Sequence, residues 1–295
     1  TVVDMYFAVQ DYSMSNPSPY DDLGWTYPMM RNIVSHEIND KAVLSAAMAP
    51  VTGPIRATGG ISGTGSTLIV EHTGDNLLAQ FRFQFASVKM AAAEAEFDAG
   101  GRKFPAGSII IPNANAAQLG PALTEYGLSG FAVASAPTVN TPDLDVPRIG
   151  YIHSWGNTQD EGWVRAALDY YKIPYTYFGE NEVVERDLSQ FDVILWPHGG
   201  GVGQEAPTSG DPIPYKNTPE FPALGRPDST EDTRGGLGQS GLKKLYDWIA
   251  AGGTPASDTA GRASRMARMR CQLAKPRWIR LTVHPSASMG HCRKM

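Results

Sequence analysis

Six histidines, His36, His72, His153, His198, His284 and His291, are the groups in this chain best suited to chemistry. Imidazole titrates near neutrality and can ligate a metal through either nitrogen, so placement decides its role. His153 and His198 stand out because each follows an apolar run that reads as a β-strand, residues 148–152 and 191–197. Parallel neighbouring strands would open their C-terminal loops onto one crevice. His153, Ser154, His198 and Gly199 then become candidate ligand-binding residues, the two histidines forming a binding or acid–base pair. The alternative is a pair of loop histidines satisfied by nearby backbone. The sequence favours the alternative, because it supplies neither a nucleophile nor a carboxylate partner beside them. Ser154 lies outside a Gly-x-Ser-x-Gly elbow. No catalytic residue is therefore assigned.

The remaining chemistry-bearing residues are equally dispersed. His36-Glu37 lacks the second histidine of a His-Glu-x-x-His helix, and no His-x-x-Glu occurs. His36, Glu37, Glu71 and His72 offer ligands on paper, but nothing in their spacing gathers them, and no metal site is assigned. Asp21-Asp22 and Asp143-x-Asp145 are carboxylate pairs without the separation or contrasting environments of an acid–base couple. Both cysteines, Cys271 and Cys292, fall near the C-terminus, which leaves the body without a thiol nucleophile or a disulfide. Residues 59–65, GGISGTG, are neither a dinucleotide fingerprint nor a phosphate loop.

The elements that would position these groups alternate along the chain. Residues 66–72 read as a strand. LLAQFRFQF (77–85) fits a helix capped by Asp75 or Asn76 slightly better than a strand of period two. Residues 88–97 suit a short helix or an extended segment, residues 108–112 a buried strand, 114–126 a helix closed by Gly127, and 131–134 another strand. Ahead of them, Thr26 and Pro28 open a helix carrying Met29, Met30, Ile33 and Val34. A polar boundary at residues 137–147 precedes a second unit of strand (148–152), helix (160–171), strand (174–178) and strand (191–197). A Pro- and Gly-rich insertion (202–240) separates the last strand from an amphipathic helix (241–251) with Leu242, Leu245, Trp248 and Ile249 on one stripe. The expected fold class is α/β: an irregular approach and small α/β unit (1–136), then a partial doubly wound, flavodoxin-like parallel-sheet domain (147–253).

Charge is divided unevenly. The chain totals −5, but residues 1–261 hold 16 basic and 30 acidic groups (−14), and residues 262–295 hold nine basic groups and no acid. A net-acidic body argues against a nucleic-acid partner, since phosphate neutralisation needs clustered Lys and Arg. No apolar run approaches transmembrane length. The basic tail, 254–295, is expected to be foreign to the fold or disordered from about Pro255. A buried strand should follow the helix at Gly252-Gly253, and the residues there lose strand character. A first residue other than Met suggests processing or a fragment, so compartment is not encoded.

Four blocks together resemble large bacterial zinc carboxypeptidases of the M14 peptidase family. They are NPSPYDDLGWTYPMM (16–30), EHTGDNLLAQFRF (71–83), FDAGGRKFPAGSIIIP (97–112) and PRIGYIHSWGNTQDEGWVRAALDYYKIPYTYF (147–178). The resemblance spans about residues 5–253. It implies a region downstream of the peptidase domain, with a module similar to class I glutamine amidotransferases to which DVILWPHGGG (192–201) corresponds. The family's zinc-binding His-x-x-Glu, its later histidine ligand, its substrate-binding arginine and its glutamate base fall on no position here. The resemblance thus implies a non-catalytic accessory portion. Zinc and a peptide substrate would belong to the separate peptidase domain, its implied partner, in an extracellular or envelope setting. The rival expectation is a stand-alone α/β ligand-binding module using the crevice near His153 and His198.

Overall fold

The computed structural model describes residues 6–7, 27–30, 33–53, 55, 57–156, 158–197, 211–226 and 229–256. The chain divides into two compact units between Val146 and Pro147. Among the sequence expectations, the Thr26 cap, Asp21-Asp22, His198, Gly199, the first part of the insertion and the tail beyond residue 256 lie outside the described residues.

The first unit holds β1 (Gly60–Gly63), β2 (Thr67–Val70), α1 (Leu77–Gln84), β3 (Ala91–Ala92), β4 (Phe97–Ala99), β5 (Arg102–Phe104), β6 (Ile109–Ile111), α2 (Ala116–Tyr126) and β7 (Ser129–Val133). Five strands form a mixed sheet in the order β1-β7-β2-β6-β3, while β4 and β5 pair as a separate hairpin. Period-two geometry sends alternate side chains of β2 and β6 to opposite faces. Leu68, Val70, Ile109 and Ile111 join a core with Phe81, Leu119 and Leu123 from the helices. Ile69 and Ile110 pack instead with Phe97 and Phe104 of the hairpin. Both faces are covered, so the strands read as unbroken apolar runs rather than alternating ones.

Residues 77–84 are helical because Asp75 accepts a hydrogen bond from the Leu77 amide at 2.9 Å, satisfying an otherwise orphaned donor. Within this helix Arg82 is buried and donates to the Leu144 and Phe85 carbonyls. Asn115 caps α2 through the Ala117 and Gln118 amides, and Gly127 closes it in the left-handed conformation at φ 67°. The glycine-rich 59–65 segment is β1 and its turn. A Cβ on Gly65 would fall 2.0 Å from the Val133 carbonyl, so close main-chain approach accounts for that glycine.

The second unit contains β8 (Ile149–His153), α3 (Gln159–Tyr170), β9 (Thr176–Gly179), β10 (Val193–Leu195), α4 (Gly238–Ala250) and β11 (Thr254–Ala256). Its sheet is wholly parallel in the order β11-β10-β8-β9. Numbered within the unit this is 2-1-3-4, a flavodoxin-like succession whose direction reverses between β8 and β10. Leu245, Trp248 and Ile249 of α4 pack with Ile152, Phe178, Ile194 and Trp196. Residues from α3 meet the other face through Tyr151 and Tyr177. Helices therefore cover both faces, and the α/β expectation holds.

One expectation is corrected. The strand judged absent after Gly252-Gly253 is present as β11, with Pro255 at its centre. Thr254 N–H donates to the Asp192 carbonyl at 3.0 Å, and the Ala256 carbonyl accepts from Trp196 N–H at 2.9 Å. In a parallel ladder alternate residues bond one neighbour, so Pro255 directs its missing donor toward the outer edge, where no ladder bond to β10 is lost.

Candidate functional site

The switch in strand order at β8 and β10 places the loops beginning at Ser154 and Trp196 around the crevice position expected of an open parallel sheet. His153 is the last residue of β8, in register with Gly179 at the end of β9. It is only 3% exposed. Its ring lies flat on Tyr177, with centroids 4.1 Å apart and planes 4° from parallel, and meets Trp155 edge-on at 4.6 Å. Burial holds His153 well below the usual imidazole range, at about 4, with Arg165 adding to the effect and Glu182 opposing it. The imidazole is neutral at pH 7.

Tyr177 links this stack to α3. Its hydroxyl donates to Glu161 Oε1 at 2.5 Å, and the Arg165 guanidinium carbon sits 4.3 Å from its ring centroid. Burial, reinforced by the Glu161 carboxylate, pushes the phenol far above its ordinary range. Tyr151 donates to the Glu161 carbonyl at 2.7 Å. Tyr175, the residue before β9, donates to Asp169 at 2.8 Å, and its ring lies 5.5 Å from that of Tyr151.

Glu180 follows β9 directly and is 1% exposed. Its carboxylate accepts from Trp196 Nε1 at 3.0 Å and from the Gly236 amide at 2.8 Å, so one buried acid joins the ends of β9 and β10 to residues 235–236. A Cβ on Gly235 would lie 3.4 Å from Glu180 Oε2 and 3.9 Å from Ser154 Oγ. The described end of the insertion thus sits over Ser154 and Glu180. It is braced by Asp232, which holds Arg234 through both carboxylate oxygens and accepts Asn181 Nδ2 at its carbonyl. Arg234 holds the Asp232 carboxyl far below the ordinary range.

Three polar atoms of this unit remain buried without a hydrogen-bonding partner among the described residues, Trp155 Nε1, Asn181 Oδ1 and Arg186 Nε, of which the first two adjoin Gly179. A Cβ there would fall 3.0 Å from the indole nitrogen and 2.7 Å from the amide oxygen. Native interiors rarely leave such groups unsatisfied.

Of the four sequence-derived candidates, the structure places His153 and Ser154 at the predicted strand end, while His198 and Gly199 lie outside the described residues. Ser154 Oγ accepts from the Gly156 amide at 3.4 Å. Sequence reasoning missed Glu161, Tyr177, Glu180 and the Trp155–Asn181 pair. A signal existed for Tyr177, the Tyr-x-Tyr alternation, and for Glu180, its position immediately after a strand. The paper metal set is not assembled: Glu71 pairs with Arg102, and among the described residues no three His, Cys, Asp or Glu side chains gather into a metal-binding group. In the first unit a depression of about 580 Å³ is lined by small residues and Phe131, with Asp98 its one ionisable side chain among the described residues. Comparison with family models, with curated protein sequences and with solved structures finds no match to this chain.

Proposed function

We propose that the chain is a non-catalytic accessory portion of an M14-like zinc metallocarboxypeptidase, serving to brace or limit access to a separate peptidase domain. The observation that carries this reading is the internal commitment of Glu180. The acid best placed to act at the switch point is buried between Trp196 and Gly236 and fastens the insertion over the strand ends. A group held that way fixes architecture. His153 is likewise neutral, lying flat on Tyr177 and met edge-on by Trp155. Identification with the M14 type rests on the four resembling sequence blocks. The coding DNA tests it: an in-frame upstream segment encoding His-x-x-Glu is expected, and a genuine start codon directly before Thr1 would refute it.

A second reading is favoured by one observation, the unpartnered Trp155 Nε1 and Asn181 Oδ1. A carboxamide would satisfy both beside His153 only once these side chains move apart, because even a Cβ on Gly179 would lie 2.7 Å from the amide oxygen and 3.0 Å from the indole nitrogen. Indole fluorescence that responds saturably to simple amides in the wild type, but not in a Trp155→Phe variant, would support this module; no response would remove it.

A further inference from the structure

The insertion between β10 and α4 is described over residues 211–226 and from 229 onward, and its two arms pair as a hairpin. The Tyr215 amide donates to the Thr230 carbonyl at 2.9 Å, and the Thr230 amide returns a bond to the Tyr215 carbonyl at 3.0 Å. Thr233 N–H reaches the Ile213 carbonyl at 2.8 Å, and Lys216 pairs with Glu231 across the arms. These bonds close on the hairpin itself, so it can move as a unit. None of its described residues from 211 to 235 is buried, whereas the next two, Gly236 and Leu237, are. Segments without buried apolar contacts open at low free energy, independently of the core. The change from exposed to buried falls at Gly235-Gly236, the latter at φ 104°, a conformation that favours glycine. Glu180 holds the Gly236 amide and Leu237 sits in the core, so the root stays fixed while the arms swing.

Two side chains at the strand ends hold the hairpin down. Asn181 Nδ2 donates to the Asp232 carbonyl at 2.8 Å, and the Trp155 ring meets that of Tyr215 at 5.7 Å. The same two residues carry buried polar atoms without partners among the described residues, Asn181 Oδ1 and Trp155 Nε1. The closed position therefore leaves an acceptor and a donor unsatisfied at the contacts that keep it closed, and opening returns both to water. We infer that residues 211–226 and 229–234 form a lid over the strand-end crevice, hinged at Gly235-Gly236 and latched by Trp155 and Asn181. The inference rests on the second reading above only for what the lid admits: lifting it gives these side chains the room that a carboxamide needs.

Indole N–H exchange followed by NMR tests the lid on the present chain without any ligand. Trp248 is the reference, because its Nε1 donates to the Phe191 carbonyl inside the core. Trp155 Nε1–H should exchange at least about 100-fold faster than Trp248 Nε1–H, at urea concentrations too low to unfold the unit. Asn181→Asp sets a carboxylate oxygen against the Asp232 carbonyl and should raise the ratio of the two rates at least about tenfold. Gly235→Ala stiffens the hinge without a clash, its Cβ lying 3.4 Å from Glu180 Oε2 and 3.9 Å from Ser154 Oγ, and should lower the ratio. Equal exchange at Trp155 and Trp248 would show that the hairpin opens only when the unit unfolds, and would overturn the lid. Fast exchange at Trp155 whose ratio neither variant alters would show solvent passing a fixed hairpin, and would overturn it as well. Acetamide then separates the lid from its ligand: slower exchange at Trp155 supports both, and no change removes the amide reading while the lid stands.

Discussion

Beneath α4 the strands of the second unit present Ile152, Phe178, Ile194 and Trp196, whereas beneath α3 the same strands present Tyr151, His153 and Tyr177. The first face is stabilised by apolar burial, which is non-directional and scales with area. The second is stabilised by a flat ring stack, a guanidinium over a ring and hydroxyl bonds to Glu161, all of which depend on orientation. One sheet therefore carries a face sensitive mainly to volume and a face sensitive mainly to chemical identity. The candidate site lies at the strand ends, where His153 from the second face and Trp196, bonded to Glu180, from the first both arrive.

Substitutions on each face test this difference. Phe178→Ala should cost about 3–5 kcal/mol, because a fully buried ring leaves a cavity; denaturant unfolding reads the loss directly. A cost under about 1 kcal/mol would show that the α4 face is not the close-packed one.

On the opposite face the next largest effect depends on pH. The folded His153 value, about 4, lies below its ordinary value of 6.5, so the unfolded chain takes the proton first. The resulting stability is complete above about pH 6.5 and is lost as pH falls toward 4. Each pH unit of separation is worth about 1.4 kcal/mol, and the loss reaches about 3 kcal/mol. His153→Phe keeps a ring for stacking and should flatten this part of the profile, seen by comparing wild-type and variant unfolding at pH 7 and 4.5. Equal slopes would place the acid sensitivity elsewhere.

Gly179→Ala should cost about 1–3 kcal/mol, since its methyl group meets Asn181 Oδ1 and Trp155 Nε1 at sub-contact distances. Altered indole fluorescence should accompany it. Tyr177→Phe conserves volume and should cost about 1–2 kcal/mol through the lost bond to Glu161. An equal or larger loss than Phe178→Ala would reverse the distinction between the faces.

The elements of both sheets were largely legible, because local patterns specify them. The apolar runs of β2, β6, β8 and β10 and the capped helices α1 and α2 each depend on residues close in sequence. The site was legible only in part. His153 and Ser154 follow from the rule that open parallel sheets expose their functional loops at strand C-termini. Glu180 escaped because its partners, Trp196 and Gly236, stand 16 and 56 residues away and leave no periodic trace. The strand β11 escaped because Pro255 weighs against a ladder until the bonding edge is known, and that edge is a tertiary property.

We propose above that this chain supports a peptidase without being one. It is tested most directly by titrating the isolated protein with zinc while following cleavage of a peptide that has a free C-terminus. Neither stoichiometric zinc uptake nor zinc-dependent cleavage is expected. One zinc bound per chain, together with C-terminal trimming that a chelator abolishes and zinc restores, would contradict it.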